Sequence, residues 1–79
     1  MEIGPLTKML NDISAFYETM PDQSKATADM ARHIRAFWDP RMRESMSNFL
    51  QQNPNGKSAQ GHISDFAVKA YNHLLKNLP

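Results

Sequence analysis

Apolar residues recur every three or four positions along most of this chain, which is the spacing of one face of an α-helix. The first such stretch contains Leu6, Met9, Leu10, Ile13, Phe16, Tyr17 and Met20. Pro5 suits the first turn of a helix, and Pro21 disfavours the helical conformation at the residue before it. The pattern therefore predicts a helix over about 5–20 whose apolar face packs into a core.

The next two predicted helices, over about 23–38 and 40–52, meet at a proline. Their apolar stripes are formed by Ala26, Met30, Ile34, Phe37 and Trp38 and by Met42, Met46, Phe49 and Leu50. Pro40 is well suited to the first position of a helix, and Asp39 before it is a natural N-cap. Because almost no linker separates the two helices, the Asp-Pro corner should fix the angle between them.

A turn-forming cluster, Asn53-Pro-Asn-Gly-Lys-Ser58, precedes the last predicted helix, over about 59–77. The apolar face of this helix is formed by Ile63, Phe66, Ala67, Ala70, Tyr71, Leu74 and Leu78. Ser58 and Ser64 are the candidate caps, and Gly61 disfavours an early start by about 1 kcal/mol relative to Ala. No strand pattern is convincing. The sequence thus predicts one all-α domain over residues 1–79, a small up-and-down bundle of about four helices.

Composition and spacing exclude several functions. The chain has no cysteine, so neither a disulfide nor a thiolate metal site is available, and its net charge of +1 argues against a general polyanion binder. The apolar runs are too short to cross a membrane, and no secretory signal pattern precedes the first helix. A cytoplasmic location is therefore expected.

The polar residues form no recognisable reactive centre. His62 and His73 would stand about 16 Å apart along a helix, too far to bind one ion. The carboxylates are scattered, and the three glycines form no phosphate-binding loop. The sequence predicts no catalytic, cofactor-binding or metal residues, and the chain is not expected to be an enzyme.

The corner region, 35–43, combines the single tryptophan with three of the four arginines. Trp and Arg are enriched among the residues that dominate binding energy. Arg41 and Arg43 lie near a helix N-terminus, where the helix dipole disfavours cations, which suggests that they meet a carboxylate of a partner. A purely structural corner with Trp38 in the core explains the same residues, so both interpretations stay open.

Two alternatives to a protein-docking module also stay open. Four arginines between positions 32 and 43 could contact phosphates of a nucleic acid, but Asp29, Asp39 and Glu44 interleave them and the corner lacks a helix-turn-helix turn. A regulatory interaction module is grouped with this alternative, and strong salt dependence would favour nucleic acid. Self-association is the other alternative, and sedimentation would reveal it. Met42 and Met46 lie on a helix with few other apolar residues, so another chain could cover one of its sides.

The segment His33-Ile-Arg-Ala-Phe-Trp-Asp-Pro-Arg-Met-Arg43, preceded by Phe16-Tyr-Glu-Thr-Met-Pro-Asp22, resembles the delta subunit of NAD-dependent formate dehydrogenase. The resemblance covers roughly residues 6–46. It implies a non-catalytic accessory subunit that docks on the catalytic (alpha) subunit of a cytoplasmic complex and stabilises it or helps it mature. The molybdenum or tungsten pterin, iron–sulfur clusters, FMN and NAD are then expected only in partner subunits.

Carried over by position, the resemblance implies a docking surface at the corner. Its expected residues are Arg35, Phe37, Trp38, Asp39, Pro40, Arg41 and Met42. The working hypothesis is an all-α accessory subunit whose basic and aromatic corner binds a metal-dependent oxidoreductase subunit.

Overall fold

A computed structural model describes residues 2–77 of the chain. Its elements, in order, are α1 (Ile3–Tyr17), α2 (Gln23–Phe37), α3 (Pro40–Gln52), β1 (Lys57–Ser58), β2 (Gly61–His62) and α4 (Asp65–Lys76). Helix α4 packs along α2, and α1 contacts the other three helices and β2. The predicted all-α fold class is confirmed, and the first three helices end within a few residues of their predicted bounds.

Side chains cap three of the four helix starts. Asp22, Asp39 and Ser64 each accept a hydrogen bond from the backbone N–H three residues later, at 3.0, 3.0 and 3.1 Å. Each cap satisfies a backbone donor that the helix itself leaves unpaired and contributes about 1 kcal/mol. The predicted cap at Asp39 is confirmed, so the corner between α2 and α3 is set by local interactions.

The predicted start of the last helix is wrong. Helix α4 begins at Asp65, because residues 57–62 form a short antiparallel hairpin instead. Asn11 of α1 fixes this hairpin: its side-chain amide donates to the His62 carbonyl at 2.8 Å, and its Oδ1 accepts from the Ser64 N–H at 2.9 Å. A contact with α1 therefore decides where α4 begins. Leu78, assigned above to the apolar face of this helix, lies outside the described residues.

One hydrophobic core lies between the helices. Its buried members are Leu6, Leu10, Met30, Ala31, Ile34, Trp38, Met46, Phe49, Leu50, Ile63, Ala67, Ala70, Tyr71 and Leu74. Tyr71 joins α4 to α3, because its hydroxyl donates to the Arg43 carbonyl at 2.7 Å and lies 3.2 Å from Ser47 Oγ. Burial raises the pKa of Tyr71, against smaller lowering effects of the Ser47 hydrogen bond and the Arg43 charge.

Three residues predicted to be buried lie on the surface. Met9, Phe16 and Phe37 are exposed by 43%, 70% and 74%. On α1 the reason is geometric: at 3.6 residues per turn, Met9 and Phe16 lie about 60–80° to one side of Leu6, at one edge of the apolar stripe. Phe37 is the last residue of α2 and Trp38 follows it, and only Trp38 turns into the core.

Candidate docking surface

The corner between α2 and α3 consists of Trp38 and Asp39. The backbone N–H of Trp38 donates the last hydrogen bond of α2 to the Ile34 carbonyl, at 2.9 Å. The backbone of Trp38 is extended, with φ −82° and ψ 135°. The extended backbone directs the chain out of α2 while the indole enters the core. Pro40 then begins α3, and Asp39 caps it. The residues around this corner are therefore held on rigid elements.

The structure separates the predicted site residues into an exposed set and a buried one. Arg35, Phe37, Asp39, Pro40 and Arg41 are exposed, and Met42 is half-buried. Trp38 is only 5% exposed, which places its indole among the core residues and not on the surface where it was expected to contact a partner. It supports the corner from within. Met46, whose helix face was also considered for contact with a second chain, is fully buried.

The exposed guanidinium groups of Arg35 and Arg41 have no counter-ion within the described part of the chain, and the half-buried Arg43 has none there either. Neither Arg35 nor Arg41 forms a salt bridge there, whereas Arg32 pairs with Asp29 at 3.4 Å. The Asp39 carboxylate is already used as the cap of α3. The corner thus presents two exposed cations without a counter-ion, and Phe37 is exposed on the same segment of the chain. This combination suits a partner that offers carboxylates and apolar side chains.

A row of aromatic rings next to the corner was not predicted from the sequence as a surface. Phe16 meets Tyr17 edge-on at 5.2 Å between ring centroids, Tyr17 lies 6.1 Å from His33, and His33 lies 4.8 Å from Phe37. We call these four residues the aromatic ledge. The row crosses from α1 to α2, and its two end rings are largely exposed. The only sequence signal is the four-residue spacing of His33 and Phe37, which puts them on one helix face.

A shallow groove runs along the ledge between the end of α1 and α2. Its wall includes Met20 on the apolar side and Lys25, Asp29 and Arg32 on the charged side. A larger groove lies elsewhere, between α2 and α4, and most of the residues that line it are of polar types. That larger groove lacks exposed aromatic rings and unpaired arginines, so the corner and ledge are the better candidate site.

The described residues offer no sign of a metal centre. Within positions 2–77, no three His, Cys, Asp or Glu side chains are arranged to hold a metal ion. His33 belongs to the ledge, and His62 is exposed in the hairpin. Over the same range, none of the helices combines the length and apolar character needed to cross a membrane.

A family model matches residues 5–70 of this chain, and its description is the NADH-dependent formate dehydrogenase delta subunit FdsD. The chain belongs to this family. The resemblance inferred from the sequence is confirmed, and the match extends past α3, through the hairpin and into α4. No curated protein and no solved structure matches the chain.

The match to the formate dehydrogenase delta subunit family covers the whole candidate surface. The corner residues and all four members of the aromatic ledge fall inside the matched range, 5–70. So do Asn11 and the hairpin that it fixes. The features that shape the surface are therefore part of the segment that the family model describes.

Proposed function

We propose that this delta-subunit family member is a non-catalytic accessory subunit that docks on the catalytic (alpha) subunit of a cytoplasmic, NAD-dependent, molybdenum-containing formate dehydrogenase. Docking stabilises the catalytic subunit or helps it mature. The observation that carries the proposal is the corner within the family match, where Arg35, Phe37 and Arg41 are all exposed and neither arginine forms a salt bridge among the described residues. Arg and aromatic side chains of this kind dominate many protein interfaces.

The rigidity of the corner supports a docking role. The Asp39 cap at 3.0 Å and the buried Trp38 hold the start of α3 and the end of α2 in place. Groups that are already ordered before binding lose less conformational entropy when a partner arrives. The ion pairs themselves would add little if they stayed exposed, about 0–1 kcal/mol each, so the apolar contact of Phe37 is the main source of affinity.

We place the cofactors of such an enzyme in its other subunits. Iron–sulfur clusters are held by cysteine thiolates, and this chain has no cysteine. The described carboxylates and histidines do not converge on a metal-sized space. We assign the iron–sulfur clusters to partner subunits for this reason, and we assign the molybdenum or tungsten pterin, FMN and NAD to them as well.

Charge reversal at the corner tests the proposal. Arg41→Glu should lower co-purification of the tagged chain with the formate dehydrogenase catalytic subunit by roughly tenfold, because charge reversal replaces a weak attraction with a like-charge repulsion against the partner's carboxylates. Helicity in far-UV circular dichroism should not change, because a glutamate near the start of α3 is favoured by the helix dipole.

Lys69→Glu is the matched control for this experiment. Lys69 is exposed on α4 and also lacks a salt bridge among the described residues, so the variant has the same change of charge away from the corner. It should co-purify like the wild type. Undiminished co-purification of Arg41→Glu would reject the corner as the site, and a wild-type chain that does not bind the catalytic subunit would reject the function.

A further inference from the structure

The aromatic ledge exposes a large apolar area for so small a domain. Phe16 and Phe37 are 70% and 74% exposed. Since an aromatic side chain covers about 150–250 Å² when buried, the two rings together leave roughly 200–350 Å² of apolar surface in water. The largest apolar patch of a typical monomer is about 300–600 Å² and is often functional. The ledge approaches that size with two residues.

The rings of the ledge are positioned before any partner binds. The two inner residues, Tyr17 and His33, are half-buried, and their ring centroids lie 6.1 Å apart. The ring centroid of Tyr17 lies 5.2 Å from that of Phe16, and the ring centroid of His33 lies 4.8 Å from that of Phe37, so each inner ring supports one exposed end ring. Because the row joins two helices that both pack on the core, the distance between the end rings is set by the fold.

The charged side of the groove carries one excess positive charge. Lys25 Nζ and Arg32 Nη1 lie 3.0 and 3.4 Å from the same carboxylate, that of Asp29. Two cations therefore share one anion beside the aromatic rings. A ligand with a carboxylate at this point would complete the pairing, so charge complementarity favours an acidic occupant.

We propose that the aromatic ledge binds a short segment of the catalytic subunit that places apolar side chains against Phe16 and Phe37 and a carboxylate against Lys25 and Arg32. The inference rests on the proposed function and extends the docking surface from the corner across to α1. Phe37 belongs to both surfaces and makes them continuous.

A second copy of the chain fits the ledge less well. Stable interfaces bury about 800 Å² on each partner, which is more than twice the apolar area that the ledge offers. A two-fold dimer would also pair this patch with itself, and since each copy carries one excess cation there, no carboxylate would be gained to complete the pairing. A segment with a carboxylate avoids the charge problem, and the rest of a larger partner can bury further area on the adjoining corner.

The test measures the affinity of the purified full chain for the purified catalytic subunit of formate dehydrogenase. Phe16→Ala should weaken binding by roughly tenfold. Lys25→Glu should weaken it by about threefold or more, since it places a like charge against the partner's carboxylate. Emission of Trp38, the single tryptophan, reports whether each variant keeps its core.

Each variant has a matched control. Leu75→Ala removes an exposed apolar side chain, 40% accessible, from a different helix. Lys8→Glu breaks an exposed pair with Asp12 that has the same four-residue spacing as the Lys25–Asp29 pair. Both controls should bind like the wild type.

The outcomes separate the two proposals. If Phe16→Ala and Lys25→Glu bind like their controls while Arg41→Glu is weakened, the ledge inference is overturned and the proposed function stands. If the wild-type chain does not bind the catalytic subunit, the proposed function is overturned. If the chain sediments as a dimer that Phe16→Ala dissociates, a second copy occupies the ledge and the inference is wrong.

Discussion

Trp38 and Phe37 are adjacent aromatic residues with opposite surroundings, and truncating each one tests the account of the corner. Trp38 is 5% exposed and belongs to the core, whereas Phe37 is 74% exposed. Trp38→Ala should therefore destabilise the domain strongly, and Phe37→Ala should leave its stability nearly unchanged. The difference separates the structural part of the corner from the part that is free to bind.

The size of the effect follows from the buried area. An indole covers about 150–250 Å² when buried, and at about 25 cal/mol per Å² its transfer from water is worth roughly 4–6 kcal/mol. Measured truncations of buried Phe and Trp cost about 3–5 kcal/mol, because the surroundings partly collapse. A domain of this size has a net stability of about 3–5 kcal/mol. Trp38→Ala should thus be largely unfolded at room temperature.

Urea unfolding followed by far-UV circular dichroism measures all of these variants on one scale. Trp38→Phe keeps an aromatic ring and should cost less, about 1–3 kcal/mol, so it provides a folded variant from which a free-energy difference can be obtained. Phe37→Ala should stay within about 0.5 kcal/mol of the wild type, as is usual at exposed positions.

Two results would refute this reasoning. A Trp38→Ala variant that unfolds at the wild-type urea concentration would mean that the indole does not support the core. A Phe37→Ala variant as unstable as Trp38→Ala would mean that the exposed ring is structural. Either result would remove the basis for assigning binding to the outer layer of the corner.

Two further predictions concern the core and the turn before the hairpin. Tyr71→Phe should cost about 1–3 kcal/mol, because the Arg43 carbonyl loses the hydroxyl that donates to it at 2.7 Å. The pKa of Tyr71 is raised above 10.0 in the folded state, so the unfolded chain loses this proton first and the wild type should lose stability as pH rises above about 10. In urea titrations across that pH range, Tyr71→Phe should not show this part of the loss. Gly56 has a φ of 77°, which favours glycine, and a Cβ there would lie 2.7 Å from side-chain atoms of both Ile63 and Val68. Gly56→Ala should therefore lower the free energy of unfolding by at least about 1–2 kcal/mol. Gly4→Ala, whose Cβ would find its nearest neighbour at 3.5 Å, should not lower it, and equal losses for the two glycine variants would contradict this account.

The first three helices could be predicted because their signals are local. The three- and four-residue spacing, the prolines at the starts and ends, and the Asp39 cap all act within a few residues of each other. The hairpin could not be predicted in this way. Its strands have only two residues each, too few to show an alternating pattern, and Asn11 holds it from far along the chain.

The candidate site could be predicted in part, because some of its residues lie close together in the sequence. The sequence grouped the arginines and aromatic residues of the corner, but it placed Phe37 and Trp38 on the same buried stripe. Trp38 lies just past the end of α2 with an extended backbone, so the helical spacing used for the prediction does not describe where its side chain points. The aromatic ledge depends on the packing of α1 against α2, which periodicity alone does not describe.

The most direct test of the docking claim is cross-linking from position 37, which belongs to both the corner and the aromatic ledge. A photoreactive phenylalanine analogue replaces Phe37 in the full chain, with the same analogue at Leu75 as the control, and both are irradiated in the presence of the formate dehydrogenase catalytic subunit. The account predicts a covalent adduct with the catalytic subunit from position 37 and none from position 75. An adduct from position 75 alone, or no adduct in a mixture where the chain demonstrably binds, would contradict it.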